Sequence, residues 1–108
     1  MKRIVICLDG TWNKSDACAA DEDTNVYRLY QSAENFRSSR QLAFYDAGVG
    51  TQFLERVRGG VFGYGLYDQI KEGYLQIVES YQPGDRVFLV GFSRGAFSAR
   101  CLASFLMF

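Results

Sequence analysis

The stretch VFLVGFSRGAFSAR, residues 87–100, decides how this chain folds. A continuous apolar run, rich in β-branched and aromatic residues, stops at a serine set between two glycines. A second apolar run with helical spacing begins at once. The five residues Gly91-Phe92-Ser93-Arg94-Gly95 match G-x-S-x-G, a pattern with meaning only where a strand turns sharply into a helix. Both flanks meet that condition here. The glycines have a steric reason. Side chains two residues either side of the serine would collide across so tight a corner, so Gly91 and Gly95 must be small. The first turn of the helix brings partly positive N–H groups to the serine oxygen and to any oxyanion developing there. The Arg94 N–H is the natural first donor. A plain Gly-Ser turn with no chemistry is the alternative.

Working outward, Ile4 to Leu8 is an unbroken apolar run ending at Asp9-Gly10, which reads as a strand buried on both faces. Thr24 or Asn25 caps a helix whose stripe is Val26, Leu29, Tyr30 and Ala33, fading by Ser38-Ser39. Leu42 to Tyr45 is a second short strand, ending at Asp46-Ala47-Gly48. A further helix is expected from Leu66, Ile70, Tyr74, Ile77 and Tyr81, with Pro83-Gly84 ending it. Arg86 to Phe92 is the third strand and Ala96 to Phe108 the last helix. This alternation predicts an α/β fold, a three-layer αβα arrangement with a mainly parallel sheet joined by right-handed crossovers, over 1–108 as a single domain. Tyr27, Tyr30 and Tyr74 read as half-buried aromatics with wet tips. Arg100 is either an exposed helix charge or an anchor for a carboxylate or lipid phosphate.

The loop after the first strand, CLDGTWN at 7–13, admits two catalytic readings. Phosphatases with D-x-D-x-T after the first strand use the leading aspartate as nucleophile, but Cys7 holds that place and Asp9 matches only the second. In a serine-elbow enzyme the second oxyanion N–H comes from the loop after a neighbouring strand. Gly10 and Thr11 could supply it, because glycine lets backbone approach a ligand closely. Asp9 is then either an ordinary Asp-Gly turn or a carboxylate tying the loop down. The glycine-dense stretch 48–65 contains neither G-x-x-x-x-G-K-[ST] nor G-x-G-x-x-G, so nucleotide binding has no motif support. Phe53, Phe62, Tyr64 and Tyr67 beside those glycines are core or the lining of an apolar entrance.

Composition closes off other classes. Over 108 residues, 12 basic side chains balance 12 acidic ones, which gives no footprint for nucleic acid. Three cysteines, Cys7, Cys18 and Cys101, form no CxxC pair and read as reduced thiols, with no metal site and no cofactor expected. The basic start MKR precedes an apolar run shorter than the roughly 7–15 residues of a signal-peptide core. The cytoplasm is the expected location, with export lacking a cleavable signal left open. The chain contains no histidine, the commonest general base.

Four segments, IVICLDGTWN (4–13), TNVYRLY (24–30), FYDAGVGT (44–51) and PGDRVFLVGFSRGAFSAR (83–100), together resemble the N-terminal part of the catalytic domain of an α/β-hydrolase family that includes type VI secretion phospholipase effectors. The resemblance implies a partial α/β-hydrolase sheet with strands in the order 2-1-3. It implies Ser93 as nucleophile and a lipid or other ester as substrate. It also implies an acid and a histidine later in the chain than the elbow helix, and neither is among these residues. Asp46 is no substitute, since its strand lies across the first strand from Ser93. The expectation is therefore the front portion of a serine esterase or phospholipase, inactive alone, with transient membrane-surface contact. A non-catalytic interaction protein that covers its apolar surface by self-association or with a missing C-terminal part is the alternative.

Overall fold

The computed structural model describes residues 1–10, 24–48 and 64–107. Strands and helices alternate: β1 (Arg3–Asp9), α1 (Asn25–Asn35), β2 (Gln41–Asp46), α2 (Tyr64–Ser80), β3 (Arg86–Phe92) and α3 (Arg94–Leu106). Both neighbours of β1 run parallel to it. Ile4 lies opposite Leu42 on one flank and opposite Val87 on the other, so the order is β2-β1-β3. Ser93 and Asp46 thus stand on opposite sides of β1, as expected.

β1 is apolar without alternation because both its faces are covered. Ile4, Ile6 and Leu8 point to α2 and α3, where they form the core with Ile77, Ala99 and Leu102. Val5 points to the other face, beside Leu29 and Ala33 of α1 and Phe88 and Val90 of β3. The Tyr45 ring meets Tyr27 and Tyr30 of α1 on that same face. The result is three layers, with α1 on one side of the sheet and α2 and α3 on the other. Leu102 is fully buried, and a cavity in its place would cost about 2–5 kcal/mol.

Local chemistry explains the element ends. Thr24 caps α1, its hydroxyl accepting from the Tyr27 N–H at 3.0 Å. The turn at Gln82–Asp85 has proline second and Gly84, φ +95°, third, the arrangement that a type II turn requires. Asp85 closes it by accepting from the Gln82 N–H at 2.9 Å.

Two expectations need correction. α3 starts at Arg94, two residues before Ala96, so the helix follows Ser93 with no intervening residue. The buried face of α2 is Gln69, Gly73 and Ile77, while Tyr74 is 42% exposed and Tyr81 47% exposed. The missing side chain at Gly73 is the cause: a Cβ there would stand 2.8 Å from the Leu102 side chain. The helix closes on α3 through that gap, which turns the tyrosines outward. Tyr67 is also exposed rather than core. Phe53 and Phe62 lie outside the described residues.

Asp85 also ties the chain's start to this turn. It accepts from the Lys2 N–H at 2.9 Å and pairs with Lys2 Nζ. The Lys2 ammonium, then the Lys2 N–H, hold its carboxyl well down, at about 2. A depressed acid contributes stability above its unfolded pKa, near 3.9, and loses it as pH falls through the folded value. Urea unfolding should show stability dropping between about pH 4 and about pH 2, and Asp85→Asn should flatten that part of the profile. An unchanged acid limb in the variant would show that the Lys2 contact contributes nothing.

Candidate active site

The chain steps from β1 to β2 on one flank, then returns to place β3 on the other. The connections leaving β1 and β3 therefore diverge to opposite faces of the sheet, and a crevice opens between the two strand tips. In open parallel sheets ligands bind at this switch point. Asp9 of β1 pairs with Phe92 of β3, which sets Gly10 beside Ser93 at the crevice.

Ser93 has φ +59° and ψ −125°, the one non-glycine residue with positive φ among those described. Such a backbone costs about 1–3 kcal/mol and persists only where its surroundings enforce it. Here the enforcement is close packing of main chain on main chain. A Cβ on Gly91 would overlap the Gly95 carbonyl and stand 2.7 Å from Ala96 Cα. One on Gly95 would overlap the Leu8 carbonyl, and one on Gly10 would overlap the main-chain nitrogens of Arg94 and Gly95. The tip of β1 thus lies against the first turn of α3, with the serine perched above it. Ser93 is exposed, and its hydroxyl makes no capping bond to its own helix.

Asp9 differs from a surface turn residue. It is 1% exposed. Its Oδ2 accepts from the Thr24 hydroxyl and from Tyr45 Oη, the latter at 2.8 Å, while Oδ1 is buried without a hydrogen-bond partner. Its main-chain carbonyl accepts from Gln69 Nε2 at 2.7 Å. Burial first, then the bond to Asp9, push the Tyr45 hydroxyl far above its ordinary range, so it remains a protonated donor. Burial and, secondarily, the Asp9 charge raise the Cys7 thiol to about 11, which disqualifies it as a thiolate nucleophile. No group of three or more metal-ligating side chains occurs among the described residues.

Of the residues expected in the site, Ser93, Arg94, Gly10, Gly91, Gly95 and Asp9 converge on this corner. Thr11 lies outside the described residues. Arg100 is exposed on α3. Sequence reading missed Thr24, Tyr45 and Gln69. Thr24 was visible only as a helix cap, and Tyr45 only as an aromatic with strand preference. Gln69 was hidden because a search for apolar spacing passes over a glutamine.

The profile of the type VI secretion phospholipase effector Tle1-like catalytic domain matches residues 2–108, and the chain belongs to that family. It is also 32% identical over 120 aligned positions to the uncharacterized protein YEL023C of Saccharomyces cerevisiae, a match covering 97% of this chain and 17% of the relative. The chain therefore spans about a sixth of the length of that relative. No solved structure matches it. No helix among the described residues is long and apolar enough to cross a membrane.

The strain at Ser93 is measurable without any assay of activity. Ser93→Gly removes the penalty for positive φ and should be about 1 kcal/mol more stable than Ser93→Ala, which keeps it. Thermal or urea unfolding of the two variants checks this. Equal stabilities would mean that the corner is relaxed.

Proposed function

We propose that this chain carries the nucleophile and oxyanion side of a serine hydrolase of the α/β-hydrolase type, acting on carboxylic esters of lipids. The supporting observation is the enforced backbone at Ser93, which holds an exposed hydroxyl over the first turn of α3 with the β1 tip beside it. Ser93 Oγ attacks the acyl carbonyl, and its proton passes to a general base. The carbonyl oxygen becomes anionic and is received by the Arg94 N–H and by an amide of Gly10 or Thr11. Collapse expels the alcohol, and water then releases the acyl group from the serine.

The base is not within these residues. The chain has no histidine. The Asp9 carboxylate is engaged by Thr24 and Tyr45, and Asp46 stands across β1. An unassisted serine is a weak nucleophile, so base and acid come from outside the 108 residues and this chain alone turns over negligibly. The family's phospholipase description supports a lipid substrate. So do Phe92, 49% exposed, and Phe97, 57% exposed, close to Ser93 in the chain and suited to an acyl chain or a membrane surface.

Added imidazole can stand in for the missing base. The chain should hydrolyse a p-nitrophenyl ester no faster than Ser93→Ala in plain buffer, and at least several-fold faster in imidazole. Equal rates with and without Ser93 in imidazole would sink the nucleophile assignment. Robust turnover without imidazole would sink the need for an outside base.

A second reading has one observation in its favour. Phe88 and Phe92 are exposed on β3, whose outer edge pairs with no strand among the described residues. A surface of this kind suits self-association or a protein partner. Sedimentation should then show concentration-dependent association, and a clean monomer across the range would count against it.

A further inference from the structure

We infer that Gln69 is a positioning residue for the oxyanion amide, setting the direction of the Gly10 N–H through the peptide that Gly10 shares with Asp9. This rests on the reading above that an amide of Gly10 or Thr11 receives the oxyanion.

The peptide is planar and trans, so its C=O and N–H point in opposite directions. Whatever holds the Asp9 carbonyl therefore aims the Gly10 N–H. Gln69, only 2% exposed, donates to that carbonyl at 2.7 Å from α2. Gly48, φ +84°, lies against the same oxygen, where a Cβ would overlap it. Gly48 follows β2, so the carbonyl points to the β2 flank. The Gly10 N–H is turned to the opposite flank, towards Ser93 and the first turn of α3.

Asp9 is also held at its other end. Thr24 and Tyr45 fix its carboxylate from the α1 face, while Gln69 reaches its carbonyl from the α2 face. Rotating the peptide means breaking a buried hydrogen bond on one face or dragging a bonded carboxylate on the other. A glutamine on the core-facing side of a helix is costly unless its amide is satisfied. An apolar residue would suffice there if packing were its only task. Tyr45 contributes indirectly, through the carboxylate.

The test uses the 108-residue chain and two readouts. In ¹H–¹⁵N spectra, Gln69→Met should move the Gly10 amide peak more than the core amides of Ile77 and Leu102. Phenylboronic acid, which forms a tetrahedral anionic adduct on a serine, should bind the variant on the order of tenfold more weakly than the parent. A folded Gln69→Met with an unmoved Gly10 peak overturns the inference. If that variant does not fold, Tyr45→Phe decides by the same peak, with a smaller shift expected and no shift overturning it. If the Gly10 peak moves but the parent chain never binds boronate at Ser93, the positioning role stands and the hydrolase reading falls.

Discussion

Everything in this structure depends on how closely the tip of β1 approaches the start of α3. The contact is main chain against main chain, with no side chain between Gly10, Gly95 and the Leu8 carbonyl. Hydrophobic burial brings α3 to the sheet, through Ala99 and Leu102. The missing Cβ atoms let it come close enough to force Ser93 into φ +59°. The core thus supplies the energy that holds a strained residue, and three glycines determine where the strain falls.

The parallel sheet gives this corner its chemical sense. With β1 in the centre and the chain leaving first to one flank and then to the other, two connections separate above the same pair of strands. Donors from one strand tip and a hydroxyl from the next then face a common crevice. Both proposed oxyanion donors are backbone amides. They are aimed by secondary structure, and side-chain identity at Arg94 enters only through charge and size.

The fold was largely legible in the sequence. Uninterrupted apolar runs at Ile4–Leu8 and 86–92 announced strands covered on both faces, and Thr24 and Pro83-Gly84 marked element ends. The corner at Ser93 was legible because G-x-S-x-G sat between a strand pattern and a helix pattern. The orientation of α2 was less legible. Its core face is made of Gln69 and Gly73 as well as Ile77, and neither glutamine nor glycine registers as core by apolar spacing. The missing side chain at Gly73 and the hydrogen bond from Gln69 only make sense once α2 lies over the sheet. Asp9 was ambiguous for a similar reason. The groups that engage it, on Thr24, Tyr45 and Gln69, are 15, 36 and 60 residues away in the chain. Only the fold brings them together.

The enforced dihedral at Ser93 links reactivity to the integrity of the last helix. If α3 lifts from the sheet, nothing holds the serine in its unfavourable conformation, and the residue relaxes into an ordinary turn with its hydroxyl aimed elsewhere. The corner therefore behaves as a latch: loaded while the final layer is docked, slack as soon as it comes away. A copy with that layer displaced would keep every atom of the motif and still present a chemically mute serine.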